Sequence, residues 1–328
     1  MSYRAPAWLP DGHSQTIWPA LMLRTPRPRY RREQWPTPDG ASIALDFVDG
    51  SPGSPLVVLF HGLEGSSDSH YARALMQAVA ARGWHGVVPH FRGCGGMDNP
   101  LPRAYHAGDA AEIRWILQRL ALSYPAMAAA AVSLGGSMLL NYLAEEGPSA
   151  LPRAAAAISA PLDLVAASTR LDRGLGKLLY TRMFMNTLKP KALATLRQHP
   201  GLFDAKRVRR ARTFVEFDDV VTAPLHGYGS ALNYWQRASS KPRLRQISCP
   251  TLILNARNDP FLPASALPTL ADVSPAVELD FPPHGGHVGF VSGRFPGHIH
   301  WLPQRLLDFF LPHLQNSSSQ ATNPLAKP

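Results

Sequence analysis

The sequence predicts an α/β fold, with a mostly parallel central sheet, helices on both of its faces and a helical insertion over one edge. Three observations predict it. Compact apolar runs alternate along the chain with amphipathic helical patterns, which implies crossover connections between parallel strands. Those runs stop at glycine or polar turns, as strands buried on both faces do. The alternation then fails between Asp163 and Arg245, where a basic, helix-patterned segment separates two strands that should be near neighbours.

Taken in order, Leu56–Phe60 (LVVLF) reads as a buried strand ending at His61-Gly62. Tyr71–Ala81 follows as a helix that stops at Gly83, and His85–Phe91 (HGVVPHF) returns to strand. Ile113, Ile116, Leu117 and Leu120 fall at i, i+3, i+4 and i+7, the spacing of one helix face. Met127–Val132 is a strand by its place in the alternation, since its alanines carry little β propensity. Ser137–Glu146 is the helix after it. Ala154–Ser159, Thr251–Asn255 (TLILN) and Val277–Phe281 are further strands, and Arg305–Leu314 is a closing helix. Residues 1–315 thus read as one domain, with residues from about 163 to 245 as a lid over the carboxyl edge of the sheet. The tail 316–328 (NSSSQATNPLAKP) lacks hydrophobic periodicity and reads as disordered.

Composition narrows the setting. Hydrophobic residues make up 45%, enough for a sizeable core. No apolar run approaches the ~18 residues needed to span a membrane. The stretch MSYRAPAWLPDGHSQ has no signal-like apolar centre, which reads as a cytoplasmic protein. Cys94 and Cys249 lack metal-ligand spacing and are expected to be free thiols in a reducing compartment. The formal charge is +10, with clusters at Arg24, Arg27, Arg29, Arg31 and Arg32 and at Lys206, Arg207, Arg209, Arg210 and Arg212. Neither cluster carries an aromatic stacking platform or a nucleic-acid motif, so no nucleic-acid partner is expected. A solvated basic face is the plain reading, and peripheral contact with an anionic membrane is the functional one.

In an open parallel sheet, ligands bind outside the carboxyl ends of the strands. Ser133, in AVSLGG (131–136), follows an alanine-rich strand and precedes a helix, where a sharp turn would lift its hydroxyl clear of the sheet. Ala131 stands where such an elbow usually has its first glycine, and Gly135 is retained. Asp259 follows TLILN and can hold an imidazole in its reactive tautomer. Asp163 and the pair Asp218 and Asp219 are rivals for the acid. His284 and His287 both follow VELDF; the two glycines before His287 favour it as the base. The order Ser, Asp, His is that of an α/β-hydrolase. In the loop HGLEG (61–65), the Leu63 N–H, with that of Leu134, is expected to form the oxyanion hole. His284, His287, His298 and His300 show no metal-ligand spacing, and neither a phosphate loop nor a dinucleotide fingerprint occurs, so no metal and no cofactor are expected.

Beyond these residues, the chain resembles the YheT-type α/β-hydrolases, a group related to the mammalian ABHD1/ABHD3 proteins and the yeast medium-chain ester synthase/esterases. The resemblance rests on GHSQTI (12–17), HGLEGSSDSHYAR (61–73), HFRGCGG (90–96), VSLGGSMLLNYL (132–143), EFDDVVTAPLHGY (216–228), NDPF (258–261) and GGHVGF (285–290). It implies a serine esterase without cofactor, with Ser133 as nucleophile, Asp259 as acid and His287 as base, and a small-molecule ester or lipid-like substrate. The EFDD block looks like a structural signature of that group. Leu178, Leu179, Met183, Phe184 and Met185 are read as acyl-binding residues of the lid or as its core. An acyltransferase or ester synthase, using the same acyl-enzyme, and a non-catalytic binder of hydrophobic ligands are the alternatives.

Overall fold

A computed structural model describes residues 2–315 of the chain. The tail expected to be disordered, 316–328, lies outside the described residues. Eight strands form one sheet: β1 (Arg31–Pro36), β2 (Ser42–Val48), β3 (Leu56–Phe60), β4 (His85–Pro89), β5 (Met127–Val132), β6 (Ala154–Ile158), β7 (Thr251–Leu254) and β8 (Val277–Asp280). Their order is β1-β2-β4-β3-β5-β6-β7-β8. The pairings β1–β2 and β2–β4 are antiparallel, and those from β4 to β8 are parallel. The expected strands are β3 to β8; β1 and β2 are additions. The sequence RREQWP of β1 looks like charged loop because β1 is an edge strand, exposed at most positions. Part of the first basic cluster is also paired here, Arg32 with the buried Asp46 at 2.7 Å and Arg31 with Asp49 at 2.9 Å.

Alternation along each inner strand divides the core into two layers. Leu56, Val58 and Phe60 of β3, with Ala129 and Ala131 of β5, face α3 (Ala110–Ala121) and α4 (Leu134–Glu146). Val57, Leu59, Ala128, Ala130 and Val132 face α2 (His70–Ala81) and the helix Trp301–Gln315. The alanine runs MAAAAV and AAAAI of β5 and β6 are wholly buried. Burial overrides their weak strand propensity, and the short side chains let helices approach the sheet closely.

The chain runs from β3 to β4 on one side and then crosses to β5 on the other. The carboxyl ends of β3 and β5 therefore flank a topological switch point, where open sheets leave a crevice. Between β6 and β7 the chain rises into a helical cap. It begins with α5 (Leu164–Leu171) and continues through helices Arg182–Gln198, Ala205–Arg210, Phe214–Val220 and Ala231–Ala238. The cap has its own core, including Tyr180, Val208, Phe214, Phe217 and Trp235, into which Phe261 of the body inserts. Among the described residues, no helix is long and apolar enough to cross a membrane.

Candidate active site

Ser133 sits between β5 and α4 with φ +53° and ψ −122°, a conformation costing a non-glycine residue about 1–3 kcal/mol. Its N–H donates to Ile158 O at 2.9 Å and its carbonyl accepts from Ser137 N at 3.2 Å, so β6 and α4 jointly hold the turn. The turn needs small neighbours. A Cβ on Gly135 would lie 2.4 Å from His61 O, and one on Gly62 would lie 3.1 Å from the Ser133 Cβ. Ala131 is itself fully buried in the α3–α4 layer, in register with Phe60 and Ala157.

His287 Nε2 lies 3.0 Å from Ser133 Oγ, and its Nδ1 lies 2.9 Å from Asp259 Oδ2 and 3.2 Å from Oδ1. An ionised carboxylate only accepts, so Nδ1 carries the ring proton and Nε2 is free to accept from the serine. Asp259 is 4% exposed, and its Oδ1 also accepts from Phe261 N at 2.8 Å. The Phe261 ring stacks on the imidazole, with centroids 3.8 Å apart and planes at 11°. The ring is thus held at both nitrogens and on one face.

A further support comes from α1 (Gly12–Leu21), which lies across both loops. Thr16 Oγ1 accepts from His287 N at 2.8 Å and donates to Gly12 O at 2.6 Å. Gln15 Oε1 accepts from Gly285 N at 2.7 Å and from Asn258 Nδ2 at 3.0 Å. Asn258 Oδ1 in turn accepts from Gly286 N at 3.0 Å. The fit is close: a Cβ on Gly12 would stand 2.0 Å from Asn258 O, and one on Gly289 would stand 1.9 Å from Gln15 O. The acid loop and the base loop, which follow the paired strands β7 and β8, are joined directly by the Asn258–Gly286 bond and braced together by α1, which reaches both.

The HGLEG loop closes over Ser133 from the end of β3. Gly62 N donates to Tyr71 Oη, Glu64 N to Tyr105 Oη and Gly65 N to Gly62 O. The neighbouring Leu63 N–H donates to no backbone carbonyl among the described residues. Leu134 opens α4, where first-turn amides have no intrahelical acceptor. Leu63, Leu134, Ser133 and His287 line one cavity of about 280 Å³. Its far wall is apolar and comes from the cap, including Phe184, Leu188 and Phe217. Lys191 and Glu64, paired at 2.8 Å, edge its polar side.

Residues 55–293 match the family model for the alpha/beta hydrolase fold. The chain is an α/β-hydrolase. It is 39% identical to YheT of Escherichia coli K12, over 93% of this chain and 92% of that protein. It is 30% identical to human Phospholipase ABHD3, over 90% of this chain and 75% of that protein. The hydrolase therefore belongs to the YheT-type, esterase/lipase-like group. Among solved structures, mouse alpha/beta hydrolase domain-containing protein 10 superposes with a TM-score of 0.55 at 15% identity, covering 86% of this chain and 99% of that one. An esterase from Thermogutta terrifontis gives 0.53 at 18% identity, covering 87% and 99%. At that identity the two structures speak for the fold alone.

The other candidates of the hydrolase have separate structural work. Asp163 caps α5, accepting from Ala166 N at 3.0 Å. Asp218 is buried in the cap, accepting from Thr222 Oγ1 and Trp235 Nε1; burial pushes its carboxyl up to about 6. Asp219 accepts from Ala231 N at 2.6 Å. His284 is exposed, and His298 and His300 stack on each other. His61 accepts from Phe91 N and donates to Gly62 O, so it braces the loop; burial pushes its imidazole down to about 3. Cys94 and Cys249 are unpaired and buried, and burial raises both thiols.

The lid residues divide differently from expectation. Phe184 lines the cavity and Met185 is in the cap core, but Leu178, Leu179 and Met183 face solvent. They turn outward because the helical run buries Tyr180 and Thr181 on its inner side. Gln15, Thr16 and Phe261 carry no role in the sequence reading. GHSQTI and NDPF hold these residues, but their partners lie far away in the chain, between His284 and Gly289 and across the sheet.

Proposed function

We propose that this hydrolase cleaves carboxylic esters of short or medium acyl length through an acyl-enzyme on Ser133. One observation carries the reading: a serine on a strained turn at 3.0 Å from an imidazole whose other nitrogen faces a buried carboxylate at 2.9 Å. His287 Nε2 takes the hydroxyl proton as Ser133 Oγ bonds to the acyl carbon. The Leu63 and Leu134 amides receive the developing oxyanion. The intermediate collapses, and the leaving alkoxide departs with the proton from His287. Water then repeats the sequence, with His287 as base, and frees the acid and the serine. Asp259 fixes the imidazole tautomer and stabilises its charged form.

The cavity supports the acyl range. Its volume of about 280 Å³ falls at the small end of ligand sites, which run to roughly 1,000 Å³, and the cap supplies aromatic and aliphatic walls. The two unpaired buried thiols support a cytoplasmic setting. The test is a panel of p-nitrophenyl esters of increasing chain length, with fluorophosphonate labelling and Ser133→Ala as control. The proposal expects labelling and hydrolysis that both vanish in Ser133→Ala, with rates that fall once the acyl chain outgrows the cavity. A folded wild-type protein that neither labels nor hydrolyses any ester would overturn it. Release of ester in place of acid when an alcohol is added would assign the second half-reaction to acyl transfer.

A further inference from the structure

The cap holds the whole of the chain's net charge. Between Asp163 and Arg245 there are sixteen Lys and Arg against six Asp and Glu, a net of +10, equal to the formal charge of all 328 residues. The remainder of the hydrolase is neutral in sum. Few of the cap cations are neutralised locally: Lys191 pairs with Glu64 and Arg243 with Glu145. Arg170, Arg173, Arg182, Arg197 and the run Lys206, Arg207, Arg209, Arg210 and Arg212 are exposed and form no close salt bridge among the described residues, Asp204 acting on Lys206 and Arg207 only at longer range. From Arg170 to Arg212 the one exposed carboxylate among the described residues is Asp204, and it caps the helix Ala205–Arg210.

The same layer presents apolar side chains to water. Leu175, Leu178, Leu179 and Met183 are 58%, 65%, 42% and 51% exposed. They fall within nine residues of one helical run, whose opposite side buries Gly176, Tyr180, Thr181 and Met185. Lys177 and Arg182 are interspersed with them, and Arg173 stands just before. A helix buried on one side, with aliphatic residues and cations on the other, has the pattern of a segment that lies in a lipid interface. The run continues into the helix Arg182–Gln198, which lines the catalytic cavity through Phe184 and Leu188.

We propose that this cap docks on an anionic lipid bilayer, with Leu175, Leu178, Leu179 and Met183 entering the interface and the exposed arginines and lysines of the cap meeting the headgroups. A second copy of the chain would set two strongly positive faces against each other. A nucleic acid would engage the arginines but leave the four aliphatic side chains nothing apolar to bury against. A charged lipid surface satisfies both features. Docked this way, the helix that lines the cavity rests on the membrane, so ester substrates can pass from lipid to Ser133.

The test is sedimentation of the full chain with vesicles of phosphatidylcholine, alone or with about one-third phosphatidylglycerol. Two variants accompany it, Leu175→Ser/Leu178→Ser/Met183→Ser and Arg207→Gln/Arg209→Gln/Arg210→Gln, each first checked by thermal melting. Wild type is expected to pellet with the anionic vesicles and not with the neutral ones, and to be released by salt. Each headgroup-facing charge contributes about fivefold to partitioning, so the arginine variant should bind roughly a hundredfold more weakly. The leucine–methionine variant should also bind more weakly while keeping full activity on a water-soluble p-nitrophenyl ester. Wild type that ignores lipid charge overturns the proposal without reference to either variant. So does a leucine–methionine variant that binds like wild type, since binding would then be electrostatic adsorption alone. A dimer in solution dissolved by that variant would assign the face to self-association, and duplex DNA binding without vesicle binding would assign it to nucleic acid.

Discussion

A glycine at position 131 should leave the hydrolase active, and a leucine there should not. The Ala131 methyl is fully buried on a strand whose register sets it beside Phe60 and Ala157, two residues before the strained serine. Ala131→Gly removes one methyl and costs strand stability by no more than about 1 kcal/mol. Ala131→Leu forces three further carbons into a filled layer, for about 1–3 kcal/mol of overpacking, and pushes on the elbow itself. Ester hydrolysis alongside a melting curve checks both; a fully active leucine variant would show that the flank is roomier than its burial implies. At the same scale, Asp259→Asn should lower kcat by about 10⁴, because the imidazole loses its tautomer and its counter-charge. Asp163→Asn should leave kcat unchanged, since asparagine caps a helix as well as aspartate does. Loss of activity in the second variant alone would reverse the assignment of the acid.

At the scale of elements, α1 braces both loops of the site from outside. Thr16→Val removes the oxygen that accepts from His287 N while keeping the side chain's shape. The orphaned amide costs about 1–3 kcal/mol, and the histidine loop is free to drift. The expected result is kcat down by tenfold or more with KM little changed, and recovery in Thr16→Ser; a folded Thr16→Val with wild-type kcat would leave α1 a purely structural role. This is also where the sequence was least legible. Strand ends, chain order and the serine turn are matters of local pattern, and they are what single out Ser133, Asp259 and His287 in the sequence. The clamp depends on contacts between residues some 270 positions apart, and nothing in GHSQTI alone points to Gly285 or His287. The edge strand β1 escaped for the opposite reason: its arginines match a solvated loop, and only the paired Asp46 and Asp49 reveal a sheet edge. The outward turn of Leu178, Leu179 and Met183 depends on which side of the helix the cap core occupies, and a run of apolar residues does not encode that.

For the whole molecule, buried histidines set the response to acid. Burial lowers the imidazoles of His61 and His226 to about 3 and those of His70 and His106 to about 4, and it also lowers His90. These groups stay neutral in the folded protein but titrate near 6.5 once unfolded. Below pH 6.5 the unfolded chain therefore binds more protons than the native one, and stability falls as pH falls, by about 1.4 kcal/mol per pH unit for each proton of difference. Asp218 works in the opposite direction: its carboxyl, raised to about 6 by burial, takes up a proton in the folded state first, which favours folding as pH drops toward 4. Glu112 and Asp172, also raised by burial, add to that opposing trend at the lower end of the range. Between pH 6.5 and 5 the five imidazoles outnumber the carboxyls that titrate, so the histidine effect wins. Calorimetry should find Tm nearly flat from pH 8 to 7 and falling steeply from pH 6.5 to 5, before carboxylates with lowered values such as Asp46 begin to protonate. An unchanged Tm across pH 7 to 5 would mean that these histidines are hydrated, or already protonated, in the native protein.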